Sequence, residues 1–149
     1  MDAFAISMSG MDVEWQRLQV IAQNIASMNT SRTGPAGYLP RKLVSGPATG
    51  FNRLVDQGLA PRQGAMRSDR APQGVAVYEI AEVTGGVREV YDPRHPDADE
   101  TGYVTYPAIS QAEEMTLMVK TSRAYEANMV AMSAALQMYS AALQIGRQS

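Results

Sequence analysis

Acidic side chains and one imidazole crowd a single short stretch, Asp92-Pro93-Arg94-His95-Pro96-Asp97-Ala98-Asp99-Glu100. Carboxylates at this density suggest an oxygen-rich calcium site, and the histidine a transition-metal ligand. The spacing fits neither. An EF-hand loop needs acidic or amide side chains at three alternating positions followed by glycine. His95 is the only histidine, and there is no cysteine to join it. Asp and Pro at these positions are turn chemistry, and the two X-Pro steps bias Asp92 and His95 towards extended backbone. Glu113 and Glu114 are adjacent, about 100° apart on a helix, so they cannot face each other as an acid/base pair. The chain has no Gly-rich phosphate loop, no Gly-x-Ser-x-Gly elbow and no His-Glu-x-x-His. Its ten methionines suggest soft-metal binding or adaptable packing; six lie on the helical seams described below, which favours packing. No catalytic, cofactor-binding or metal-ligating residue is assigned, and the expectation is a protein that is not an enzyme.

The elements that carry these residues are unusual in length. Met115, Ser122, Met129, Leu136 and Leu143 fall seven apart, as do Met118, Tyr125, Met132 and Tyr139, three residues after members of the first series. Spacings of three then four put both on one stripe of a helix, as in a coiled coil. Ser110 with Glu113 matches a capping box, and Pro107 suits the N-terminal boundary. A helix from Ser110 to Gly146 would be roughly 55 Å long, more than a small core can cover. The other end repeats the pattern. Phe4, Met11, Leu18 and Ile25 are seven apart, with Met8, Trp15 and Ala22 as companions. All eight prolines lie between Pro35 and Pro107. The reading is a mainly α chain whose long N- and C-terminal heptad helices form an antiparallel coiled-coil-like pair. Its parts are an N-terminal helix over 1–33, an irregular and β-hairpin middle over 34–107 and a C-terminal helix over 108–149.

Within the middle, Gly34-Pro35-Ala36-Gly37 reads as a turn and Pro40 to Met66 as an extended loop. Val75 to Val83 alternates with the period of a half-buried strand, Thr84-Gly85-Gly86 is a turn, and Val87 to Tyr91 is the returning strand. That hairpin needs support from a helix or another chain, because an isolated one is marginal in water. Gly102 to Pro107 is a short extended lead-in to the C-terminal helix.

Length and composition bound the rest. One domain's worth of chain, 149 residues, carries a formal net charge of −2, so no basic field holds nucleic acid. The absence of cysteine removes disulfides and thiolate chemistry and leaves nothing to mispair in an oxidising compartment. The N-terminus lacks the features of a secretory signal, and no apolar run approaches the roughly 20 residues needed to span a bilayer. Charge is segregated: Thr30 to Pro72 sums to +5 and Gln73 to Pro107 to −5. Such halves read either as solvated loop surface or as complementary segments that would set register between neighbouring subunits.

Three stretches resemble a known family. Ser9-Gly10-Met11, Arg17 to Ala26 and Asn29-Thr30 are similar to the N-terminal signature shared by flagellar axial proteins of the rod and hook. Val90 to Val104, running from Asp92-Pro93 to Gly102-Tyr103-Val104, is more specific. With Glu113-Glu114-Met115 and Ser122 to Asn128 it resembles the proximal-rod family of the FlgC type. The resemblance covers about two-thirds of the chain, and departs from the family where Ser27 follows Ala26. It implies a structural subunit of the flagellar basal-body rod. Such subunits pass through the flagellar type III export apparatus without a cleaved Sec signal and assemble in the periplasm. There they join other rod subunits and copies of themselves in a hollow helical drive shaft carrying torque from motor to hook. The resemblance implies no cofactor and no membrane insertion. Assembly contacts are expected from Met11, Trp15, Leu18, Ile25, Met118, Tyr125, Met132, Leu136 and Tyr139, with Asn24 and Asn128 setting register. The alternative is a non-flagellar coiled-coil adaptor or secreted interaction protein using a type III export route.

Overall fold

The computed structural model describes residues 2–31, 38–48, 74–83 and 86–148. Two long helices dominate it: α1 (Asp2–Ser27) and α2 (Gln111–Gln148). Between them lie four short strands, β1 (Arg41–Pro47), β2 (Val75–Glu82), β3 (Val87–Tyr91) and β4 (Tyr103–Pro107). At about 1.5 Å per residue, α2 is roughly 57 Å long and α1 about 39 Å, so α2 is longer by about 18 Å. Ser110 caps α2: its Oγ accepts from the Glu113 backbone N–H at 3.4 Å, and Glu113 and Glu114 place negative charge in the first turn.

The helices lie side by side, and contacts descend α2 as they climb α1. Asn24 bonds Glu114, Gly10 abuts Asn128, and Phe4 shares a groove with Tyr139. Burial on α2 follows Glu114, Met118, Thr121, Tyr125, Asn128, Met132 and Ala135, a strict four-three alternation. One of the two expected series, Met118/Tyr125/Met132, is therefore on the inward row. The other is displaced by one residue: Thr121 is 3% exposed, whereas Met115, Met129, Leu136 and Leu143 lie outside. On α1 the matching buried or half-buried row is Ser7, Gly10, Glu14, Arg17, Ile21 and Asn24, while Phe4, Met8, Trp15 and Ala22 are exposed.

Close approach explains the displacement. A Cβ on Gly10 would lie 2.9 Å from Asn128 Nδ2, so the helices meet where side chains are small. Methionine and leucine at those positions would hold the axes apart. Apolar capacity on α1 is also used elsewhere: Val13 and Val20 form a buried cluster with Leu43 of β1, with Val77 of β2 packed on it.

β2 and β3 form where alternation predicts strands, but the expected pairing of Val75–Val83 with Val87–Tyr91 does not occur. β2 pairs antiparallel with β1, Leu43 opposite Ile80 and Arg41 opposite Glu82. β3 pairs antiparallel with β4, Val90 opposite Val104. The two runs thus lie in separate ribbons. The chain between them serves both: Val83 N–H donates to Pro40 O at 2.8 Å, and Gly86 O accepts from Ala108 N–H at 2.7 Å. Each ribbon has an apolar reason to exist, since Leu43 and Val77 join the cluster on α1 and Val104 is fully buried. A local hairpin would supply neither contact. β1 also corrects the reading of Pro40 to Met66 as loop throughout; its remainder, 49–66, and the expected turn at 34–37 lie outside the described residues. So do Thr84 and Gly85 of the other expected turn. Arg41 of the basic half stands opposite Glu82 of the acidic half in the β1–β2 register.

Candidate assembly surface

The acidic stretch is the loop that turns β3 back into β4, and its side chains serve the backbone. Asp99 Oδ1 accepts from Thr101 N–H at 2.9 Å, Thr101 Oγ1 at 2.8 Å and Tyr103 N–H at 2.9 Å. These donors, Tyr103 foremost and the Thr101 hydroxyl next, hold the Asp99 carboxyl below its ordinary value. Arg94 N–H donates to Asp92 Oδ1, and Asp97 N–H to His95 Nδ1. Gly102 takes φ +85°, the left-handed conformation that closes the turn beneath the Tyr91 ring. Ser31, just past α1, donates to Asp97 Oδ2 and ties the loop to that helix.

The eleven residues expected at assembly contacts are not gathered on one surface. Met11, Leu18 and Ile25 are half-buried on α1, and Trp15 is 56% exposed. Met118, Tyr125, Asn128 and Met132 are half-buried on the inward row of α2. Leu136 and Tyr139 are exposed, at 51% and 60%. Phe4, Ala135, Leu136, Met138 and Tyr139, with Ala3, line an open apolar groove of about 460 Å³ beside the start of α1. Val130, Met138 and Ile145 are more exposed still. They stand off both heptad series and were not singled out from the sequence.

Asn24 is the most structured of the eleven. It is 1% exposed, and every hydrogen-bonding position of its amide is used. Oδ1 accepts from Arg41 N–H at 3.0 Å and Tyr38 OH at 2.8 Å. Nδ2 donates to Arg41 O at 2.9 Å and Glu114 Oε1 at 3.0 Å. Burial pushes the Tyr38 phenol above its ordinary value of 10.0; Arg41 acts the other way, and Glu114 adds to the rise. Glu114 Oε2 is buried without a hydrogen-bond partner. It borders a cleft of about 240 Å³ between α1, β1 and α2, which Arg17, Leu43, Val83 and Leu117 also line. Sequence reasoning singled out Asn24 but missed Tyr38, Arg41 and Glu114 as its partners. They come from two segments, the stretch entering β1 and the start of α2, and no local spacing joins either to α1.

Comparison with known proteins agrees with the geometry. The family model described as flagellar basal body rod FlgEFG protein C-terminal matches residues 100–145, which span β4 and most of α2. Flagellar basal-body rod protein FlgC of Bacillus subtilis (strain 168) is 34% identical over 95% of this chain and 95% of its own length. FlgC of Borreliella burgdorferi is 33% identical over 94% and 93%, and that of Aquifex aeolicus 36% over 89% and 86%. These near-full-length matches do not favour an unrelated adaptor. With two long terminal helices, strands whose side chains serve packing and turns, and relatives of this kind along nearly its whole length, the chain belongs to the flagellar basal-body rod protein FlgC family, a structural rod subunit and not an enzyme.

Proposed function

We propose that the heptad rows read from the sequence are mainly contacts between subunits of a hollow rod. One observation carries this reading. Large apolar members of those rows, Met8 and Trp15 on α1 and Met115, Met129, Leu136 and Leu143 on α2, stand on the outside of the single chain, whereas Met118, Tyr125 and Met132 face inward. Seven-residue spacing of apolar side chains has no use on a solvated face; it suits a neighbouring helix. Each helix thus has two duties. An inner row that mixes Gly10, Asn24, Thr121 and Asn128 with Ile21, Met118, Tyr125 and Met132 closes α1 against α2 as an antiparallel coiled-coil-like pair. An outer row of large residues meets helices of adjacent subunits, other axial proteins or further copies of this chain. Such heterologous contacts do not close on themselves and extend as a helix.

In this arrangement residues 1–33 and 108–149 build the wall around the central channel, and 34–107 lies outside it. The subunit reaches the periplasm through the flagellar type III apparatus without a cleaved Sec signal, and the rod carries torque from motor to hook. A photo-crosslinking side chain tests the division of duties in isolated basal bodies. Placed at Met129 it should join the chain to a neighbouring subunit; placed at Thr121 it should join α2 only to its own α1. Intrachain products from both positions would refute the outer row.

A further inference from the structure

We propose that, in the assembled rod, the cleft between α1, β1 and α2 is a slot for one basic side chain of an adjacent subunit, held by the second oxygen of Glu114. The inference rests on the assembly reading above and deepens it. It concerns the subunit in the rod and makes no demand on the order of the chain before assembly.

The two oxygens of Glu114 are treated differently. Oε1 accepts from Asn24 Nδ2 at 3.0 Å. Oε2 is buried, and no donor of the subunit reaches it among the described residues. The Asn24 amide is neutral, so it leaves the carboxylate's charge unanswered. A buried carboxylate is stable only when it is paired or neutralised. The cations that border the cleft are engaged elsewhere. Arg17 Nη1 donates to both oxygens of Glu14, and its Nη2 donates to Ser45 Oγ at 2.7 Å. The Arg41 guanidinium lies over the Tyr38 ring, 5.8 Å from its centre. Lys42 is exposed and alternates with buried Leu43, so its stem leaves β1 on the face away from α1.

The cleft has the size and lining for such a guest. Its volume of about 240 Å³ holds one long side chain and is too small for a helix. Val20, Ile21, Leu43, Val83 and Leu117 supply apolar walls, and Glu114 supplies the acceptor. Lysine and arginine divide in the same way, with an apolar stem and a cationic tip. A wholly apolar guest would leave Oε2 unpaired, and an acidic one would be repelled. Leu117 is 45% exposed and lies one helical turn from Glu114, so the cleft is reached from the surface of the subunit.

The test uses isolated basal bodies that carry a small diazirine side chain at Leu117. Its photoproducts should join the chain to an adjacent subunit, at or next to a lysine or arginine. Glu114→Gln keeps an oxygen for Asn24 but turns an amide N–H against the guest. It should lower recovery of the chain in basal bodies by at least about tenfold. Glutamate in place of the cross-linked basic residue of the adjacent subunit should restore recovery, a rescue that a purely internal role of Glu114 would not allow. Intrachain products alone at Leu117, attachment away from any basic residue, normal recovery of Glu114→Gln or failure of the rescue each overturns the slot. The cross-link at Met129 separates the two readings: between subunits at Met129 but intrachain at Leu117 overturns the slot alone, whereas intrachain at both overturns the outer row as well.

Discussion

Leu136→Asp separates the stability of the subunit from its assembly. Leu136 is 51% exposed in the single chain, so the folded subunit has little of it to lose. The carboxylate remains at a helix surface in water, and the expected change in unfolding free energy is within about 1 kcal/mol. Assembly is different. Burying a leucine fully is worth about 1.5–3 kcal/mol, so covering its exposed half contributes about 1 kcal/mol per contact. Burying a carboxylate there costs several kcal/mol more. A deficit near 4 kcal/mol corresponds to roughly a thousandfold weaker contact, repeated at every copy. Thermal unfolding of the purified chain should change little, while swimming in soft agar and recovery of the chain in basal bodies should fall to background. Ile21→Ala is the control. At 3% exposure on the inner face, it should destabilise the chain by about 2–5 kcal/mol before assembly is reached. A Leu136→Asp chain that unfolds like Ile21→Ala, or that builds normal rods, would refute the division between inner and outer rows.

Two further expectations concern the interior. Alanine at Gly10 gains about 1 kcal/mol of helix propensity but places its Cβ 2.9 Å from Asn128 Nδ2, displacing a side chain that donates to Ala124 O at 3.0 Å. Gly10→Ala should be near neutral, Gly10→Val destabilising by about 1–3 kcal/mol, and Asn128→Ala should relieve the valine variant in a double-mutant melt; an unaffected Gly10→Val chain would show that the helices do not meet there. Asp99 gives a pH signature. Its carboxyl is held below the ordinary 3.8 in the folded chain, so its contribution is complete above about pH 4 and is lost as pH falls through the folded-state value. NMR titration should show the Asp99 carboxyl, followed through the Thr101 and Tyr103 amides that donate to it, titrating below that range, and Asp99→Asn should remove this transition; an Asp99 titration at or above the ordinary carboxylate value would contradict the hydrogen-bond pattern.

Both helices were legible because their signals are local and repeated. The Ser110 cap, the proline-free ends and the seven-residue spacing are all read within one segment. The strands were legible for the same reason, since Val75–Glu82 and Val87–Tyr91 alternate over their own length. Their pairing was not. Thr84–Gly86 has the composition of a hairpin turn, yet Leu43 and Val104 draw each run to a partner that offers a buried contact. The turn chemistry of Asp92 and Asp99 was readable, because an Asx side chain bonds backbone two to four residues away.

The sequence by itself determined that this chain has two long heptad ends, no histidine–cysteine chemistry and a turn-rich acidic loop, and its motifs pointed to the rod family. Which face of each helix turns inward was a tertiary decision. Heptad spacing marks a stripe that wants a partner but does not say whose helix supplies it. The close approach at Gly10, the apolar cluster drawn from α1 by β1 and the four bonds of Asn24 turn the row of Glu114, Thr121 and Asn128 inward beside Met118, Tyr125 and Met132. Met115, Met129, Leu136 and Leu143 are left outside because the row beside them, with Thr121 and Asn128, is the one that approaches α1 closely.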